Sequence, residues 1–212
     1  MIAAAAATFL AASALSEQGS LSSQGLGYPP GELSTRALGT AGALGEIDAR
    51  SPINPAALAI RTAAQVYAQY DPEFRKITSG GKTSSTTLAR MPNIGGVLPL
   101  NGQFVLGISA STFLDRTWET ARARTQGFGP NPGDTVAFNE TLKSEGAITD
   151  VRLALAYSAN SRLRFGIGVH TFPGSMRLTS NEIFPDTTKF QNITQLNQVS
   201  FSGKAVSVGM EA

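Results

Sequence analysis

The segment "QFVLGISASTFLDRTWETA", residues 103–121, alternates in character along most of its length. Phe104, Leu106, Ile108, Ala110, Thr112, Leu114 and Trp118 share one parity, while Gly107, Ser109, Ser111, Asp115, Thr117 and Glu119 share the other. A period of two means a β-strand with unlike faces, because successive side chains leave opposite sides of the pleat. The run outlasts a globular strand of about 5–6 residues. Arg116 breaks the apolar face beside Trp118, the pairing expected where an aromatic girdle and a cation meet lipid headgroups.

The pattern recurs in "AITDVRLALAYSANSRLRFGIGVHTF", which reads as a hairpin turning at Ala159-Asn160-Ser161. Val151, Leu153, Leu155 and Tyr157, then Leu163, Phe165, Ile167 and Val169, form its apolar side. Arg152, Ala154, Ala156, Arg164, Gly166, Gly168 and His170 fall opposite. Residues 62–70 and 88–100 read as two earlier strands, the second joined to the alternating segment by the hairpin signal Asn101-Gly102. A last strand covers 198–211, and its apolar phase slips at Gly203, as at a bulge. Polar stretches near 76–87, 124–146 and 173–197 read as loops. Connections therefore run long, short, long, short, long, the asymmetry of a transmembrane β-barrel with tight turns at one end and extended loops at the other. The fold class expected is all-β: an antiparallel transmembrane barrel, partial at about six strands. Alternation alone also fits a soluble exported β-sandwich.

The first residues, "MIAAAAATFLAASALS", have the length and apolarity of a signal peptide, with Ala12-Ser13-Ala14 as an A-x-A cleavage site and no Lys or Arg before Arg36. The competing reading is an alanine-rich N-terminal helix. No later apolar stretch approaches the roughly 20 residues of a helical membrane span. Charge is low at 15% and nearly balanced at +2, which leaves no basic footprint for nucleic acid. Cysteine is absent, which excludes disulfides, thiolate metal sites and a lipid-modified N-terminal cysteine.

Between the leader and the first strand stands "RALGTAGALGEIDARSPINPAAL", rich in small residues. Gly39, Gly42, Ala43, Gly45, Asp48, Asn54, Pro55, Ala56 and Leu58, followed by "VYAQYDPEFRKITSG" with Asp71-Pro72, resemble the outer-membrane long-chain fatty acid transporter family, the FadL type. The resemblance implies a bacterial outer-membrane barrel with a small N-terminal hatch folded inside it. Residues 1–14 would then be the signal peptide, 15–60 the hatch and 61–212 barrel strands. A family barrel has roughly fourteen strands, so the resemblance implies the N-terminal portion of a longer protein. It further implies passive uptake of a long-chain fatty acid or similar hydrophobic molecule, lateral exit through a kinked strand, contact with membrane lipid and lipopolysaccharide, and insertion by the barrel-assembly machinery. A related scaffold or secretion component that binds protein partners is the alternative within the same architecture.

Asn54, Pro55 and Ala56 are the gating candidates: Asn54 can satisfy backbone groups left unpaired by a tight turn. The local alternative is a turn leading into a short helix with proline at its first position. Arg152, Arg164 and His170 are the lumen-lining candidates, the arginines suited to a carboxylate. His170 is the sole histidine, and lumen lining is the favoured reading over catalysis. Asp71, Asp115, Asp134, Asp150 and Asp186 read as solvated residues at strand ends and in loops. Phe128, Val136, Phe138, Leu142, Phe184, Phe190 and Ile193 are apolar residues in polar text, either a surface groove for an acyl chain or small satellite cores. No catalytic constellation, metal cluster or cofactor is expected; "GGK" at 80–82 lacks a phosphate loop's spacing, and "DTTKFQN" lacks the carboxylates of a calcium site.

Overall fold

The computed structural model describes residue 27 and residues 33–79, 82–127, 135–186 and 188–212. The leader and Phe128 lie outside them. The described residues form one open antiparallel sheet with almost no helix. Its strands are β1 (Gln65–Ser79), β2 (Lys82–Pro99), β3 (Phe104–Asp115), β4 (Trp118–Gly127), β5 (Thr135–Ser158), β6 (Arg164–Thr171), β7 (Gly174–Ile183), β8 (Ile193–Phe201) and β9 (Lys204–Glu211). The sheet order is β1-β2-β3-β5-β6-β9, while β4 and β7 flank the first half of β5 and β8 pairs β7.

Six barrel-length strands underlie these nine segments. β3 and β4 both pair β5, at Asp115↔Ala147 and Trp118↔Ser144. β6 and β7 do the same on its other side, and β8 and β9 continue that arrangement against β7 and β6. The interruptions at Arg116–Thr117, Phe172–Pro173 and Ser202–Gly203 follow one line across the sheet. Hydrogen bonds bridge it: Arg116 N–H donates to the Gly146 carbonyl at 2.9 Å, Thr149 N–H to Pro173 at 2.9 Å and Phe172 N–H to Gly203 at 2.9 Å. Gly146, at φ 145°, is on this line and lies against Ser175, an approach that a side chain would block. The phase slip read at Gly203 falls on the same line.

Two sequence expectations need correction. The polar stretches taken as loops are largely strand, since β1, β2, β4, the first half of β5, β7 and β8 run through them. Rich in Ser and Thr, with apolar residues only at scattered positions, they extend beyond the alternating part of the sheet and so carry no sustained apolar period. The long alternation of residues 103–121 is also not one strand. A register shift between Thr112 and Leu114 sets Leu114 opposite Ile148, which has the parity of Asp150 and Arg152, so Leu114 leaves the face of Phe104.

The two faces of the alternating region differ sharply. On one, Val97, Val105, Ala154 and Ala156 form a buried cluster with Ala49 and Leu58 of the preceding segment. On the other, cross-strand rows of large apolar side chains lie open. One row runs Ile108↔Leu153↔Val169↔Val206, and the next runs Leu106↔Leu155↔Ile167↔Val208. Ile108 is 59% exposed, Ile167 50% and Val208 79%. Beside the short turns a third row, Phe104↔Tyr157↔Phe165↔Met210, brings the Phe104 and Tyr157 rings to 4.9 Å. Asn101 and Asn160 build those turns, each side-chain oxygen accepting two backbone N–H groups at 2.8–2.9 Å.

Candidate functional site

Residues 33–61 lie against the buried face of the sheet. Thr35–Leu38 makes one helical turn, α1, whose N-cap Ser34 accepts from the Ala37 N–H at 3.2 Å. Asp48 is the polar centre of the segment: it accepts from the Ser34 hydroxyl and from the Arg50 N–H at 3.2 Å, with Arg61 at 3.6 Å. Side chains fasten the segment to both β1 and β2. Gln69 donates to the Leu33 carbonyl at 3.4 Å, and Asn93 donates to the Arg50 carbonyl at 2.7 Å.

Asn54 opens a 3-10 helix, Pro55–Ile60, as its cap. Its Oδ1 accepts from the Ala56 N–H at 3.0 Å, and its Nδ2 donates to the Met210 carbonyl of β9 at 3.4 Å. Proline at the first position needs no N–H partner there. The wall beneath is made of glycine. A Cβ on Gly107 would stand 2.6 Å from Leu58 Cδ1; one on Gly166 would collide with Pro55 and the Ala56 nitrogen, and one on Gly209 with the Asn54 oxygen. Three strands thus lack side chains where Asn54, Pro55, Ala56 and Leu58 rest. The local reading of this stretch, a turn leading into a short helix with proline at its first position, is what the structure shows.

Next to this seat lies a polar cluster. Asp150 is on β5, and His170 on β6 reaches it diagonally, with Nδ1 2.8 Å from Oδ2 and 2.9 Å from Oδ1. On the other side His170 Nε2 is 2.8 Å from Ser207 Oγ of β9. Arg152 pairs across from His170 in register, and the Phe172 ring stacks beside the imidazole at 6.1 Å. Asp150 and Arg152 are only 2% and 3% exposed. The reading of Asp150 as a solvated rim residue is therefore wrong. It has Arg152's parity on a long strand, and its carboxyl group is buried and hydrogen-bonded to an imidazole.

Arg164, the other lumen-lining candidate, faces Glu211 in register at 3.1 Å. Its charge already has a carboxylate partner, unlike the free cation a ligand would need. Among the apolar loop candidates, Phe138 and Phe184 are buried with ring centroids 5.2 Å apart, and Phe190 stacks on Phe184 at 5.5 Å. That is a satellite core, the second of the two readings for these residues, while Ile193 stays exposed. In the neighbouring turn Asp186 is held below the ordinary carboxylate range, chiefly by the Thr188 hydroxyl at 2.5 Å.

Asp150 and Ser207 are what sequence reading missed. Parity placed Asp150 on the face of Arg152, but a turn centred on Asn160 would set Arg152 opposite Gly168, whereas the strands pair it with His170. Ser207 needed the pairing of β6 with β9, which no local pattern encodes.

Comparison with known proteins is sparse. The sequence matches no family model and no curated protein. Among solved structures it is similar to a FadL homologue of Pseudomonas aeruginosa, at 17% identity and a TM-score of 0.42, over 87% of this chain and 48% of that one. The chain therefore spans about half the length of that protein.

Proposed function

We propose that this chain is part of a bacterial outer-membrane β-barrel that takes up long-chain fatty acids or similar hydrophobic compounds passively, with residues 15–60 as the hatch. The observation that carries the reading is the two-faced sheet. Its buried face is small and polar and holds the N-terminal segment, whereas its open face carries unbroken rows of Ile, Leu, Val and Phe. Soluble monomers rarely expose contiguous apolar patches beyond a few hundred Å². From Phe104 to Thr112 the outward rows cover roughly 27 Å of strand at ~3.4 Å per residue. Tilted by about 40°, that is about 21 Å, close to the apolar band of a transmembrane barrel.

Further strands are needed to close a lumen, because β1 and the β8 and β9 strands keep an unpaired edge among the described residues. The exit is proposed at the side of β4. Pairing of β2 with β3 ends at Asn93↔Ser111, and beyond it β4 has no partner towards β2 among the described residues. Gly27, at φ 83°, lies beside Leu114, Asp115 and Arg116 at the mouth of this gap, so hatch and exit adjoin. Gly39, Gly42 and Gly45 give the hatch the small-residue backbone that packing within a lumen requires.

Labelled oleate uptake tests the proposal, using the full-length protein in a strain without its own transporter. Restored uptake that saturates with oleate is the expected result. A protein correctly inserted in the outer membrane that restores nothing would refute transport and favour the scaffold alternative.

A further inference from the structure

Lining a wet lumen requires polar residues, but no particular order among them. Asp150, His170 and Ser207 are ordered. A carboxylate only accepts hydrogen bonds, so His170 Nδ1 carries the proton it shares with Asp150. In a neutral imidazole so oriented Nε2 is bare and can accept from the Ser207 hydroxyl, whose oxygen lies 2.8 Å away. A hydroxyl bonded to a base, itself oriented by a buried carboxylate, is the arrangement of an activated nucleophile. Three hydrogen-bonded strands hold it, a stiffer mount than a loop. Gly168 pairs with Ser207 on one side and Ala154 on the other. The point where a Gly168 Cβ would stand is 2.6 Å from Ser207 Oγ, 3.3 Å from His170 Nε2 and 3.4 Å from Arg152 Cδ. A side chain at 168 would therefore press on Ser207, His170 and Arg152, and glycine is what lets the three side chains converge.

We propose that Ser207 is a catalytic nucleophile that hydrolyses esters of hydrophobic acyl chains. Ser207 Oγ attacks the ester carbonyl carbon as its proton passes to His170 Nε2, while Asp150 stabilises the imidazolium. Arg152, in register with His170, is the cationic side chain nearest to this pair. The intermediate expels the alcohol, which takes the proton from Nε2, and an acyl-Ser207 remains. Water then attacks that acyl group, giving its proton to Nε2; the carboxylic acid leaves and Ser207 regains its hydrogen. The balance is ester plus water to acid plus alcohol. The nucleophile stands on geometry alone, whereas the choice of a hydrophobic acyl chain rests on the uptake reading.

An alkyl fluorophosphonate probe tests the assignment on the full-length protein in detergent, with peptide mass spectrometry to locate the label. The expected result is labelling of Ser207, abolished in Ser207→Ala and slowed about 10²–10⁴-fold in Asp150→Asn, with Asp150→Glu recovering part of the rate. Asp150 is a positioning residue, and that partial rescue separates orientation from mere folding. Folded, heat-modifiable wild-type protein whose Ser207 takes no label would overturn the proposal without touching transport. Labelling together with failed oleate uptake would keep the nucleophile and refute transport. Nitrophenyl esters read the substrate class: faster turnover of dodecanoate than butyrate is expected, and the reverse would refute the acyl preference.

Discussion

Replacing Gly166 with valine unseats the Asn54–Ile60 segment and strips the protection of its amides. The added Cβ lands on Pro55 and the backbone nitrogen of Ala56, atoms that cannot rotate away as a side-chain tip would. Overpacking of this kind costs about 1–3 kcal/mol, and a backbone obstacle puts Gly166→Val at the upper end. Hydrogen exchange is the readout. The Ala57 amide donates to the Asn54 carbonyl at 3.2 Å and the Arg61 amide to Leu58 at 3.0 Å. Both should exchange on the order of 100-fold faster in the variant, since each ~1.4 kcal/mol is a factor of ten. Gly102→Ala is the matched control: nothing lies within 4 Å of its added Cβ. Unchanged protection in Gly166→Val would mean that the segment does not rest on this wall.

The second large effect is on the opposite face. Ile167 stands between Leu155 and Val208 in an exposed row, so Ile167→Arg sets a guanidinium in the centre of the apolar band. In a bilayer this costs about 2–4 kcal/mol, falling to about 0–1 near the interface, where Thr112→Arg would sit. On a soluble surface either change would stay within about 0.5 kcal/mol. Refolding of the full-length protein into lipid vesicles, followed by denaturant titration, measures the difference. Equal stability of the two variants would contradict a membrane-facing band.

The parts of the fold visible in the sequence were those where one face is apolar and the other is not. Parity along β3 as far as Thr112, the second half of β5 and β6 named the correct faces, and Asn101 and Asn160 marked two turns whose side chains indeed cap the returning strand. Where polar residues fall on both faces, as along β4, β7 and β8, no period exists to read, and strands looked like loops. The break at Arg116–Thr117 and the shift after Thr112 stayed hidden because apolar residues continue across them. The seat of the Asn54–Leu58 stretch was half legible: Asn54-Pro55-Ala56 announced a capped turn, but its glycine floor comes from three strands distant in sequence. The same non-locality concealed Ser207. His170 was visible as the sole histidine, yet its partners depend on register across two strand pairs.

One experiment bears on all of this most directly. Spin labels at Leu106, Ile108, Phe165 and Ile167 of the full-length protein in vesicles report collisions with oxygen, which concentrates in hydrocarbon, and with a water-soluble nickel chelate. These positions should be open to oxygen and closed to nickel, while labels at neighbouring Ser109 and Gly168 show low access to oxygen. Nickel access at the outward positions, or burial from both reagents, would contradict a sheet with one face against the bilayer.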